Sequence, residues 1–388
     1  MPPPTTAGNV MLWLDRQALQ GLIDALAAEH RVVGPRIADG TVVYADLSSV
    51  DQLPAGWVDE QDGGSYRLHR DADAGCFDHV PGPHSLKTFL FPPRETLEQF
   101  VRTEEGWRAG APPPPERPLA VIGVRACDLA ALAVQDRVFL GGDYVDPAYR
   151  SRRERLFVVA VNCRRAAATC FCHSLDCGPA VNHGFDLALT ETGGRFALEA
   201  GSPRGADIAR AIGGSCALAT CTPQEEETVR AIPRDLGQRM QSRTATPGRP
   251  RPRRLATEGI RDLLYDNLEH PRWQEVADRC LACGNCTLVC PTCFCASVAD
   301  VADLAGDNAA RERRWASCFS PDHSQLHDRT IRPSVASRYR QWLTHKLAGW
   351  IDQFGTSGCT GCGRCITWCP VGIDLTEEVA AIRGEAAP

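Results

Sequence analysis

The chain has 388 residues, 43% hydrophobic and 23% charged, with a formal net charge of −6, ordinary values for a globular protein with room for two or three domains. No basic face is available to neutralise phosphates, which speaks against nucleic acid as a partner, and no apolar run approaches the roughly 20 residues of a membrane span. Nineteen cysteines in a chain that opens "MPPPTTAGNVMLWLDRQALQ", without the charged and apolar regions of a secretory signal, point to a cytoplasmic protein whose thiols serve metal or redox chemistry rather than disulfides.

In chain order, "RQALQGLIDALAAEH" reads as a helix, and "RVVGP" and "GTVVYADL" read as strands. A Pro-rich stretch, Ala111 to Pro118, is stiff and extended. Beyond it, "LAVIGV", a helical "DLAALAVQDRVF" and "LFVVAV" give the strand, helix, strand order of a parallel α/β unit. A second Pro-rich stretch, "TPGRPRPRR" at Thr246 to Arg254, marks a boundary; its arginines are those of a solvated linker. The expected class is α+β: an α/β domain over 1–246, in two lobes 1–116 and 117–246, a Pro/Arg linker 247–255, and an α-helical ferredoxin domain over 256–388. In that last part Val335, Tyr339, Trp342, Leu343, Leu347, Trp350, Ile351 and Phe354 line one face of a helix of about five turns. A short helix follows "VGID", with Asp374 placed to cap it.

Two motifs carry the chemistry. "CLACGNCTLVCP" (Cys280, Cys283, Cys286, Cys290) and "CTGCGRCITWCP" (Cys359, Cys362, Cys365, Cys369) both fit CxxCxxCxxxCP, the spacing of a ferredoxin-type 4Fe-4S site in which the fourth thiolate ligates the other cluster. Cys280, Cys283, Cys286 and Cys369 are therefore expected to hold one cluster, and Cys359, Cys362, Cys365 and Cys290 the second. Zinc is the competing reading, but zinc sites use two well-separated CxxC pairs, not three thiols within seven residues twice over. Gly284, Gly361 and Gly363 allow the sharp turns, and Arg279 and Arg364, beside ligands, are placed to oppose cluster charge. Residues 291–358, between the motifs, carry helical signal. Cys293, Cys295 and Cys318 are surplus to both cubes and read as small buried apolar residues.

A third constellation lies further up the chain. Cys127 and Cys163 fall at the ends of two neighbouring strands, with Cys170 and Cys172 in the following loop, where the carboxyl ends of a parallel sheet open into one crevice. These four are candidates for a third 4Fe-4S cluster, with ordinary buried cysteines as the competing reading. Asp128 reads as a helix N-cap, with cluster ligation in place of one thiol as its alternative. Cys76, Cys177, Cys216 and Cys221 share no spacing and are left out.

With these residues assembled, the sequence resembles the β subunits of soluble NAD(P)-linked NiFe hydrogenases (sulfhydrogenases), a family similar to the A subunit of anaerobic sulfite reductase. The resemblance is carried by "GPHSLKTFLFPPRE", "GVRACDLAAL", "QDRVFLGG", "TCFCHS", "GFDLALTE", "CGNCTLVCPTCFC" and "RYRQWLTHKL" through "FGTSGCTGCGRCITWCPVGIDLTEE". It implies an electron-transfer subunit of a hetero-oligomer, not catalytic on its own. Its partners would be a flavin and NAD(P)-binding subunit on one side, and on the other the hydrogenase small and large subunits or a sulfite reductase catalytic subunit. Independently, the chain has no strand-borne GxGxxG and no Walker motif, so no dinucleotide or phosphate cradle of its own is expected. A stand-alone small-substrate reductase, its substrate near Cys127, is the further alternative.

Overall fold

A computed structural model describes residues 10–110, 117–215, 218–244 and 252–385. Most of both Pro-rich stretches, and with them most of the expected linker 247–255, lie outside the described residues, as does Cys216.

The N-terminal region is built on an eight-stranded mixed sheet. Its first elements are β1 (Leu12–Leu14), α1 (Arg16–Glu29), β2 (Arg31–Ala38) and β3 (Thr41–Asp46). The Asp15 carboxylate caps α1 by accepting the Ala18 N–H at 2.8 Å, and Ala18, Leu19, Leu22, Ile23 and Leu26 form the buried stripe. A side hairpin, β4 (Trp57–Asp62) and β5 (Ser65–Arg70), follows, then a single helical turn, α2 (Lys87–Leu90), and a second hairpin, β6 (Arg94–Thr103) and β7 (Gly106–Gly110).

The expected α/β unit is present as β8 (Leu119–Val124), α3 (Ala126–Phe139) and β9 (Phe157–Val161), with a further helix, α4 (Pro147–Glu154), inserted before β9. β2, β8, β9 and β10 (Leu187–Thr192) run parallel. Almost every residue of β8 and β9 is buried, the mark of strands covered on both faces. One face packs Ile122, Val159 and Leu189 against α1 and α5 (Pro203–Ser215); the other packs Val121, Val158 and Ala160 against α3 and α4. β11 (Arg195–Ala200), β1 and β12 (Ala219–Thr220) extend one edge antiparallel, and α6 (Pro223–Gln241) follows.

From Leu255 onward a further apolar core, joined by Phe171, gathers α7 (Ile260–Asp266), α8 (Arg272–Arg279), and the later helices around Trp273, Tyr339, Trp342, Leu343 and Leu347. α9 (Asn285–Leu288) is a single turn. The predicted long helix is α10 (Val335–Thr344), a π-helical turn His345–Gly349, and α11 (Trp350–Phe354) in unbroken succession. α12 (Arg364–Thr367) and α13 (Leu375–Ile382) complete the chain, and Asp374 caps α13 through the Thr376 N–H at 3.0 Å.

The expectation of helix throughout residues 291–358 is corrected in its first half. β13 (Ala296–Ala302) and β14 (Asn308–Trp315) form a hairpin that pairs, through β14, with β6 in one four-stranded antiparallel sheet. The cause is tertiary: "RERRW" places Glu312 and Arg313 inward, where Arg94 holds Glu312 at 2.5 Å and Glu95 holds Arg313 at 2.5 Å. Strands from both sides of the expected boundary thus share one sheet.

Candidate iron–sulfur centres

Each cysteine motif is a tight loop closed by a single helical turn. The Cys280 N–H still donates to Val276 at the end of α8 (3.0 Å); the chain then turns through Ala282 (φ 50°) and Gly284 (φ 77°), and α9 carries Cys286. The second motif repeats the path through Gly361 (φ 66°) and Gly363 (φ 79°) into α12, which carries Cys365. At these last two positions glycine is needed for proximity as well as for positive φ. A β-carbon would lie 2.4 Å from the Thr169 carbonyl oxygen at Gly363, and 2.6 Å from the Cys172 backbone at Gly361. The second motif therefore lies directly on the loop that bears Cys170 and Cys172, and the Phe171 N–H donates to the Gly361 carbonyl at 2.8 Å.

Cys280, Cys283, Cys286 and Cys369 line one cavity, walled by Phe319, Tyr339 and Trp342 and reached also by Cys365. Cys283 is exposed and Cys369 buried. Backbone donors point at the sulfurs: Ala282 N–H to Cys280 (3.4 Å) and Ile373 N–H to Cys369 (3.3 Å). Burial pushes the Cys280 thiol up, against the pull of the Ala282 N–H, and the charges of Cys369 and Cys283 add to the rise.

The second set is organised the same way. Burial pushes Cys365 well above the usual thiol range, and Cys359, Cys290 and Cys362 push it further. The Gly361 N–H donates to Cys359 at 3.4 Å, and burial takes Cys359 up to about 12. Cys290, from the first motif, thus stands among the thiols of the second, as Cys369 stands among those of the first. Burial thus opposes ionisation of Cys280, Cys359 and Cys365, and a coordinating metal deprotonates thiols outright. Together with the N–H donors, these residues fit a pair of iron–sulfur clusters. Among the described residues no group of three or more His, Cys, Asp or Glu closes on a single ion; the first-set thiols wall a cavity instead.

The third set also comes together. Cys127 lies in the first turn of α3, directly after β8, and is buried in one cluster with Cys170, Cys172, Leu236 and Met240; Cys163, Cys177 and Cys362 pack against it. Cys177, left out by the spacing argument, belongs to this group by position, whereas Cys76 and Cys221 lie in other cores. Asp128 is not the N-cap. α3 begins at Ala126, Arg125 holds the cap position, and the Asp128 carboxylate faces Arg364 in two contacts, at 2.8 and 3.1 Å. A ligand role for Asp128 would compete with that buried pair.

The arginines beside the ligands do not stand as free charges. Arg364 is paired with Asp128, and Arg279 shares the buried Glu378 with Arg272. A cation that reaches a motif thiol directly is Lys346, absent from the sequence reading. Its Nζ lies 3.4 Å from Cys290 Sγ and 2.9 Å from Thr292 Oγ1. A lysine on the apolar face of the Val335–Phe354 helix was the available signal. Cys293, Cys295 and Cys318 are half-buried rather than core residues, and they line a cavity of about 140 Å³ with His345, Lys346 and Trp350.

Residues 279–373 match the family model described as a 4Fe-4S dicluster domain. Over 361 residues, 91% of this chain and 92% of the relative, the sequence is 28% identical to sulfhydrogenase 2 subunit beta of Pyrococcus furiosus. The resemblance read from the motifs therefore extends along nearly the whole chain. Among the described residues no helix is long and apolar enough to cross a membrane.

Proposed function

We propose that this chain is the electron-transfer subunit of a soluble NiFe hydrogenase complex, relaying electrons between a flavin and NAD(P)-binding subunit and the hydrogenase small and large subunits, without catalysis of its own. The observation that supports it most directly is the crossing of the fourth cysteines, with Cys369 beside the first motif and Cys290 beside the second. Cys280, Cys283, Cys286 and Cys369 would hold one 4Fe-4S cluster, Cys359, Cys362, Cys365 and Cys290 a second, and Cys127, Cys163, Cys170 and Cys172 a third. A 4Fe-4S cluster supplies reversible one-electron chemistry at a potential set by its surroundings.

The protein's own part is to fix the order of the three thiol sets. Cys283 is the exposed end. Cys365 belongs to the second motif yet lines the first cavity, and Cys362 packs against Cys127, Cys170 and Cys172. The second set is thus the middle one, and the α/β region supplies the inner end. The division proposed is an α/β part (1–246), a linker (247–255) and a cluster-bearing part (256–388), with Phe171 and Leu175 reaching into the core of the last part and Phe294, Ala296 and Trp315 into that of the first.

Anoxic purification with bound partners is the test. About eight irons per chain are expected from the two motifs, and about twelve with the third set. Nickel and flavin in the complex would support the hydrogenase assignment. Siroheme would move the chain to a sulfite reductase instead, and absence of acid-labile sulfide would overturn both.

A further inference from the structure

The chain contains forty-two basic residues, of which only two, Lys87 and Lys346, are lysines. Both are buried, and both face the end of the first motif. Lys87 Nζ donates to the Thr287 and Leu288 carbonyls (3.2 and 3.0 Å) and lies over the Trp315 ring. Lys346 reaches Cys290 itself. We propose that Lys346, acting with Thr292 and Cys293, makes the cluster of Cys290, Cys359, Cys362 and Cys365 the more easily reduced of the two motif clusters, by setting a buried positive charge on its exchanged ligand. This rests on the ligation proposed above.

The geometry singles out one sulfur. Lys346 Nζ has four acceptors for its three protons: Cys290 Sγ at 3.4 Å, Thr292 Oγ1 at 2.9 Å, the Gly358 carbonyl at 3.3 Å and, most distant, Cys293 Sγ at 3.7 Å. Because the Thr292 oxygen accepts from the ammonium, its hydroxyl proton is free for Cys290 Sγ, 3.1 Å away. A compact ammonium suits three acceptors in different directions, whereas the planar fork of arginine suits a carboxylate. The π-helical turn His345–Gly349 carries Lys346, and such turns re-aim side chains at functional sites. Cys369, the counterpart ligand, accepts the Ile373 N–H at 3.3 Å, and the chain has no third lysine to place near it.

Charge and hydrogen bonds on a ligand sulfur favour the reduced, more negative cluster. Inside the protein, screening of that charge is weak. Cys293 thereby has a use that ligand counting did not give it, as a further acceptor for the Lys346 ammonium.

The test is an EPR-monitored redox titration of the loaded chain and of Lys346→Gln, with iron and sulfide measured in each. Lys346→Gln should keep its iron and lower one midpoint by about tenfold in the reduction equilibrium, about 59 mV for one electron, leaving the other in place. Lys346→Arg should restore part of the shift. If Lys346→Gln loses iron, Thr292→Val must lower the same midpoint by a smaller amount. Unmoved midpoints in iron-replete variants, or equal shifts of both, overturn the inference while the ligation stands. A wild-type chain without sulfide overturns the ligation and the inference with it.

Discussion

Cys369→Ala is expected to remove the iron held by Cys280, Cys283 and Cys286, and to spare the cluster of its own motif. Sequence proximity argues the opposite, because Cys369 follows Cys365 by four residues while Cys280 is far upstream. The structure puts Cys369 on the wall of the first-motif cavity, so its loss opens that site. Motif iron should fall by half, from about eight to about four. Paired substitutions decide which half. Cys369→Ala combined with Cys283→Ala should lose no more iron than either alone, since both remove one cluster; combined with Cys362→Ala it should lose nearly all motif iron. The reverse pattern, measured by iron analysis and Mössbauer spectroscopy on anoxic protein, would show that each motif holds its own cluster. Cys290→Ala should mirror the result, sparing the first-motif site.

Arg364→Met should cost about 3–5 kcal/mol of stability, the range for a buried ion pair broken on one side. Both partners are almost entirely out of water, at 0% and 1% exposure, and meet through two contacts. Methionine fills the space of the arginine stem but leaves the Asp128 carboxylate without its cation. The guanidinium also donates to the Gly82 and His84 carbonyls (2.9 and 3.0 Å), so three segments lose a common anchor. Asp128→Leu combined with Arg364→Met should recover most of the loss, because an apolar pair has no buried charge to strand. Anoxic urea unfolding, with iron content measured beside it, checks both variants. A single-variant loss below about 1 kcal/mol, the range of exposed pairs, would mean that Asp128 finds another partner.

What could be read in advance follows the range over which each feature is encoded. The cysteine motifs are local, so spacing alone located their loops and raised the expectation of an exchanged fourth thiol. α1, the β8–α3–β9 unit and the helix from Val335 to Phe354 follow from periodicity for the same reason. The pairing of β14 with β6 was hidden because strands some two hundred positions apart leave no joint pattern in a single sequence. Arg364 and Asp128 are separated by 236 positions, so Asp128 read as a helix cap until its partner was in view. Cys177 joined the third set through chain folding, without any spacing of its own. The π-helical turn preserves the apolar stripe of its helix, and so left no trace except a lysine among hydrophobic neighbours.

The shared sheet has a consequence for biosynthesis. The β6–β7 hairpin leaves the ribosome long before β14, whose Asn308 must lie beside Val101; at roughly 5–20 residues per second the nascent hairpin waits on the order of 10–40 s for its neighbour. An open strand edge recruits foreign strands during such a delay. β6 bears Arg94, Glu95, Glu98 and Arg102 along its length; the first three later pair with Glu312, Arg313 and Arg311 of β14, and all four meanwhile discourage premature association. A fragment that stops short of Asn308 would keep that edge bare permanently, so the amino-terminal portion made alone should aggregate where the intact polypeptide does not.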